Sequence, residues 1–188
     1  MKKPTVAVMI GFLLYFQILF NSPIPGKIIM SNKEVHNEGN VYEQVWRAYG
    51  KLPHNVKELL QDNNYRIYVV DLINDDKNIL GQTTYGLKII EIRDFNYDVE
   101  RTTLHECGHV LDDESNIIFI SGTKEFKKIF EEEQVAFYDV VEDNYSYYVS
   151  DTKEYFAQAF AEYILQPEKL KLYTPKTYMF IENCINNY

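Results

Sequence analysis

The chain predicts a mainly helical α+β domain, with a small sheet just upstream of one helix that carries two histidines. Three observations support this. Thr102 to Asp113 runs without Pro, holds His105-Glu-Cys-Gly-His109, and follows Asp98 and Glu100, acids suited to a first helical turn. Two β-branched and aromatic runs, Tyr65–Asp71 and Gly86–Arg93, precede it. An alanine- and aromatic-rich helix, Asp151–Tyr163, comes after it. With 188 residues, 46% hydrophobic and 15% aromatic, the chain has the material for one substantial core. Residues 40–188 are therefore read as a single domain, 27–39 as a polar linker and 1–26 as a separate leader.

The leader reads as an export signal. Lys2 and Lys3 precede an apolar run from Val6 to Phe20 that only Gly11 and Gln17 interrupt. That run is short of the ~20 residues a membrane span needs, and it suits a signal-peptide core. Asn21–Gly26 lacks a clean small-x-small cleavage pattern, so a retained anchor over residues 5–20 is the alternative. Both readings place the bulk of the chain outside the cytoplasmic membrane, as a secreted or surface-anchored monomer. Nineteen basic against 28 acidic residues give net −9. Such a balance argues against nucleic acid and anionic lipid as partners and allows a basic peptide or protein. Only Cys107 and Cys184 are present, so no disulfide framework holds the fold. Cys107 is read as a small buried hydrophobe, and a bond to Cys184 stays open.

Along the domain, Asn40 is placed to cap a helix over Val41–Tyr49 that Gly50 ends. A second helix follows Pro53, with Val56, Leu59 and Leu60 on its buried side. His36 and His54 lie in polar stretches without a partner at ligand spacing and are read as solvated. Tyr65–Asp71 is a strand, Asn74–Lys77 a turn and Gly86–Arg93 a second strand, which is equally consistent with the sheet edge that pairs with an extended peptide and with an ordinary core strand. Asn116–Ser121 is read as an edge strand or loop. Lys124–Glu133 is read as a surface helix, its Glu131-Glu132-Glu133 run a solvated face.

The chemistry concentrates on the motif helix. At about 100° per residue, Thr102, His105, His109 and Asp112 share a stripe, while Leu104, Cys107 and Leu111 lie opposite. H-E-x-x-H presents two imidazoles one turn apart, with Glu106 beside them as a general base. A catalytic zinc takes three protein ligands and leaves one position for water. No histidine follows His109, so the third ligand must be a downstream carboxylate, and Glu154 is the best placed. Asp151 or Thr152 caps its helix, and Ala157, Gln158 and Ala161 share its face. Two alanines facing Gly108 allow the helices to approach closely, and Gln158 is within reach of a ligand imidazole. A plainer role for Glu154, as a first-turn acid favoured by the helix dipole, remains open.

His105–Asp113, Glu154–Phe160 and Pro175–Ile181 together resemble the catalytic domain of anthrax lethal factor and the clostridial secreted Pro-Pro endopeptidases, over roughly residues 40–188. The resemblance implies a zincin-type (gluzincin) metallopeptidase domain with one Zn2+ per chain, held by His105, His109 and Glu154, and a peptide or protein substrate. It also implies a catalytic tyrosine seven residues before the glutamate ligand, which is Tyr147, with Tyr145 and Tyr148 as neighbours in competition. Gln158 departs from the lethal-factor pattern, where a glutamate is usual. Two other roles stay in view: a non-catalytic binding module of the same fold, which the intact motif opposes, and a structural metal, which would ask for a fourth protein ligand.

Overall fold

The computed structural model describes residues 28–31, 38–95, 97–113, 119–141 and 143–187. The expected signal or anchor lies outside the described residues. Among those described, no helix is long and apolar enough to cross a membrane.

A four-stranded sheet backs a larger helical body, as the α+β reading requires. Strands β1 (Ile29–Ser31), β2 (Arg66–Val70), β3 (Gly81–Thr84) and β4 (Ile89–Arg93) lie in the order β1-β2-β4-β3. The β1/β2 and β2/β4 pairs are parallel, and β3 runs antiparallel to β4. Period-2 alternation sets the faces. Ile67, Val69, Ile90 and Ile92 are fully buried, while Arg66, Tyr68 and Val70 on the opposite face are half-buried. Helices α1 (Glu38–Lys51) and α2 (His54–Asp62) precede β2, and α3 (Val99–Asp113) follows β4.

Beyond a 3-10 turn at Ile120–Gly122 come α4 (Lys124–Glu133), α5 (Tyr138–Val141) and α6 (Tyr145–Tyr148). The chain closes with α7 (Thr152–Leu165), α8 (Pro167–Tyr173) and α9 (Pro175–Asn186). Pro167 and Pro175 open the last two helices, where a missing N–H costs nothing. Asp151 caps α7 by accepting from the N–H groups of Lys153 and Glu154, at 2.7 and 3.0 Å.

The helix pair α3/α7 is the centre of the molecule. Eleven residues of α3, from Val99 and Thr103 through Asp112, are buried, so the motif helix is enclosed rather than half-exposed. A Cβ on Gly108 would lie 2.9 Å from both the Cα and the carbonyl oxygen of Ala157. The two backbones touch there, which only the glycine permits. Leu104, Cys107 and Leu111 are fully buried, and both cysteines are free thiols. Behind α7, Phe126 packs on Phe156 (ring centroids 5.3 Å) and Phe137 on Tyr155 (4.6 Å).

Several expectations are corrected. The run expected to be one strand from Gly86 is a 3-10 turn at Tyr85–Leu87, then Lys88 at φ 55°, with β4 starting only at Ile89. The turn is there because Gly81–Thr84 folds back as β3 on β4, and β4 is therefore an interior strand. An edge strand needs no full apolar alternation, so Gly-Gln-Thr-Thr gave no strand signal. Residues 27–39 are not all linker: Ile29 is buried in β1 and α1 already starts at Glu38. The first helix continues through Gly50 to Lys51. Of Asn116–Ser121, the described part enters a 3-10 turn. Glu133 is not solvated: it is buried and accepts from Lys176 N–H (3.0 Å), Thr177 N–H (2.8 Å) and Thr177 Oγ1 (2.8 Å), capping α9 from outside. His54 is exposed as expected, but Glu58 one turn on lies 3.3 Å away, a surface pair of small energetic weight.

Candidate active site

The pair α3/α7 brings His105, His109 and Glu154 together, and their donor atoms all lie within 4.8 Å of one another. His105 Nε2 is 3.2 Å from Glu154 Oε2, and His109 Nε2 is 3.6 Å from Glu154 Oε1. The two rings meet edge to face at 4.7 Å. His105 Nδ1–H donates to Gln158 Oε1 at 3.0 Å, which turns the other ring nitrogen into the cluster. His109 is held neutral: burial, then His105 beside it, pushes its pKa down to about 3. Burial opposes the charge on Glu154, but the bond from His105, the charges of His105 and His109 and the bond from Tyr147 together outweigh it and hold that carboxyl below its ordinary pKa. Two buried imidazole nitrogens and a half-buried, ionised carboxylate, all converging, suit zinc in number and chemistry.

Glu106 lies beside this cluster under the edge of the sheet. Thr83 Oγ1 on β3 donates to its Oε2 at 2.8 Å. Gly81 lies directly above: a Cβ there would come 2.7 Å from Glu106 Oε1 and 2.6 Å from Thr102 Cγ2. Burial pushes the Glu106 pKa up to about 7, against the opposing pull of His105 and Thr83. His105 is also raised, because the bond to Glu154 and the charges of Glu106 and Glu154 together outweigh its burial. Both groups therefore bind a proton more tightly in the folded chain than in the unfolded one. Their contribution to stability is present below their ordinary pKa values and is lost as pH rises through the raised ones, which for Glu106 is about 7. His109 acts in the opposite sense: its contribution is lost as pH falls toward about 3, and it is fully present and no longer changes with pH well above its ordinary 6.5. Metal-free protein should thus melt at a lower temperature at pH 8.5 than at pH 6.5. A calorimetric series showing a rise would contradict this electrostatic picture.

The three tyrosines on α6 have different surroundings, and two of them, Tyr147 and Tyr148, line the site. The Tyr147 hydroxyl bonds with Glu154, although more than half of the side chain is exposed. Burial of that end, then Glu154 and Glu106, raise its pKa well above 10, so it stays a donor. Tyr148 instead packs on the His105 ring at 5.8 Å, and Tyr145 on Tyr138 at 5.5 Å. A cleft of about 350 Å³ opens over His105 and Glu106, bounded by Asn78–Gly81 on one side and by Tyr97, Asn144 and Tyr147 on the other. Asn144 Nδ2 donates to the Tyr97 hydroxyl at 3.0 Å across its rim.

Of the five predicted residues, His105, Glu106 and Tyr147 line the cleft, and His109 and Glu154 complete the cluster with His105 beside it. Missing from the sequence reading were Thr83 and Gly81, which sit on the strand it did not find. Arg101 and Glu162 were also missed, although each lies four residues from a site residue, one turn before His105 and one turn after Gln158.

Comparison with known proteins agrees with this architecture. The solved Pro-Pro endopeptidase of Paenibacillus alvei superposes with a TM-score of 0.60 at 17% identity, covering 83% of this chain and 96% of that one. The likeness is one of fold. No curated protein matches by sequence. A family model described as anthrax toxin lethal factor, N- and C-terminal domain, matches residues 44–184, three quarters of the chain. With the histidine pair, the glutamate and the helix pair that joins them all inside the matched span, the chain belongs to the anthrax lethal factor family.

Proposed function

We propose that this protein is a zinc-dependent endopeptidase of the gluzincin type. The observation that carries the reading is the convergence of His105, His109 and Glu154 beside a buried glutamate at an open cleft. These three residues are the ligand set. With no fourth protein donor in the cluster among the described residues, they match a catalytic rather than a structural site. When bound, zinc supplies a Lewis acid and lowers the pKa of water to about 7.

The chain's own groups do the rest. An extended substrate pairs with the outer edge of β3, the last strand of the described sheet, whose Gly81 lines the cleft. Thr83 holds Glu106 Oε2, which leaves Oε1 to take the proton of the attacking water and deliver it to the leaving amine. The Tyr147 hydroxyl, protonated and next to Glu154, donates to the carbonyl oxygen as negative charge develops there. Tyr148 packs its tilted ring against that of His105.

Purified protein should carry one zinc per chain, cleave members of a peptide library and lose that cleavage on chelation. Glu154→Ala should abolish stoichiometric zinc, leaving only two imidazoles. Full zinc content in that variant would remove Glu154 from the ligand set, and cleavage unaffected by chelators would end the metallopeptidase reading.

A further inference from the structure

Gln158 contacts a proposed ligand, yet an amide has no fixed sense: either its oxygen or its nitrogen could face His105. The surrounding groups remove that freedom. Glu162, one turn along α7 and fully buried, places Oε1 2.6 Å from Gln158 Nε2. A carboxylate only accepts, so the amide nitrogen must point to Glu162 and the amide oxygen to His105 Nδ1. Glu162 is in turn anchored. Arg101, on the first turns of α3, forms an ion pair with its Oε1, and Gln166 Nε2 donates to its Oε2 at 2.9 Å. Arg101 is steadied by Asp98, whose Oδ2 accepts from Nε at 2.8 Å. The relay Asp98–Arg101–Glu162–Gln158–His105 leaves the motif helix, crosses to α7 and returns to the motif helix.

We propose that Glu162 and Arg101 are positioning residues that fix the sense of the Gln158 amide, and through it the nitrogen that His105 presents to the zinc. The carboxylate that commonly orients a ligand histidine is here moved one helical turn outward, and a neutral amide carries its direction inward. This rests on the zinc reading given above.

Four proteins test it by chelator-competition zinc affinity and by metal-free melting temperature. Glu162→Gln removes the acceptor-only neighbour, so the Gln158 amide loses its fixed sense and affinity should fall about 10- to 100-fold. Gln158→Glu alone sets two carboxylates at hydrogen-bond distance in a fully buried place; it should lower the metal-free melting temperature and not improve affinity. The double variant, Gln158→Glu with Glu162→Gln, keeps the net charge. Its new carboxylate at position 158 would accept directly from His105, and its new amide at position 162 would bridge that carboxylate to Arg101. Affinity should then return to the wild-type value. Strongly non-additive effects, with rescue, are the expected result.

Additive effects, or an affinity gain in Gln158→Glu whatever stands at 162, would overturn the proposal. If Glu162→Gln does not fold, the double variant decides alone: wild-type affinity supports the relay and a persisting loss overturns it. Wild-type protein that binds no zinc would overturn both this inference and the function it rests on. Wild-type binding with an unchanged Glu162→Gln would overturn only the relay.

Discussion

Glu106→Gln should reduce peptide cleavage about a hundred- to ten-thousandfold, the usual span for loss of a positioned general base, and leave zinc content intact. The substitution is nearly isosteric. Its amide oxygen can still accept from Thr83 Oγ1, which lies 2.8 Å from Oε2 in the native chain, and Glu106 belongs to neither side of the His105–Glu154 pair. What vanishes is a carboxylate whose pKa, raised to about 7 by burial, suits proton transfer near neutrality. The same change removes a charge that burial disfavours, so metal-free Glu106→Gln should melt no lower than wild type at pH 8. Activity then falls with no loss of stability, which a general folding defect cannot produce. Steady-state kinetics together with a melting curve check both halves, and a variant that cleaves at the wild-type rate would end the general-base assignment.

Among the described glycines, Gly108→Ala should be the most damaging added methyl. The added Cβ would stand 2.9 Å from the Ala157 Cα and carbonyl oxygen and 3.2 Å from Phe160 Cβ. Two of those atoms are backbone in the middle of a helix and cannot rotate away, so α3 and α7 must separate. Overpacking of this kind costs roughly 1–3 kcal/mol, or about 2–12 °C in melting temperature for a domain of this size. The separation also reaches the site, because α3 carries both imidazoles and α7 the carboxylate. Zinc affinity should therefore fall together with stability. Ala157→Gly should not rescue it, since the clash is with backbone atoms that a glycine retains. A Gly108→Ala protein with wild-type melting and zinc affinity would show that the helices are not in the contact described.

Much of this protein follows from local pattern. H-E-x-x-H on a Pro-free stretch makes a helix whose spacing alone puts His105 and His109 one turn apart. Asp151 before an alanine-rich run makes the cap and the close-packing face that carry Glu154 toward them. The apolar alternation of Ile67 and Val69 announces a strand wherever it occurs. Capping, periodicity and side-chain size act within a few residues, so they are written where they act.

Tertiary structure decided the rest, because it turns on pairing between distant segments. Gly81–Thr84 is a strand only because β4 is there to receive it, and Thr83 meets Glu106 only because that strand is the edge. Glu133 looks like one more surface acid until the start of α9, over forty residues later, takes up its carboxylate. Only the family spacing favoured Tyr147 over Tyr145 and Tyr148 in the sequence, and their different contacts are set by how α6 lies against α3 and α7. Sequence by itself named His105, Glu106, His109 and Glu154 as the candidate site, but not Thr83, Gly81, Arg101 or Glu162 around them. The packing of α3 on α7 under an edge strand decided how each is held, since the sense of a hydrogen bond depends on partners that no local spacing names.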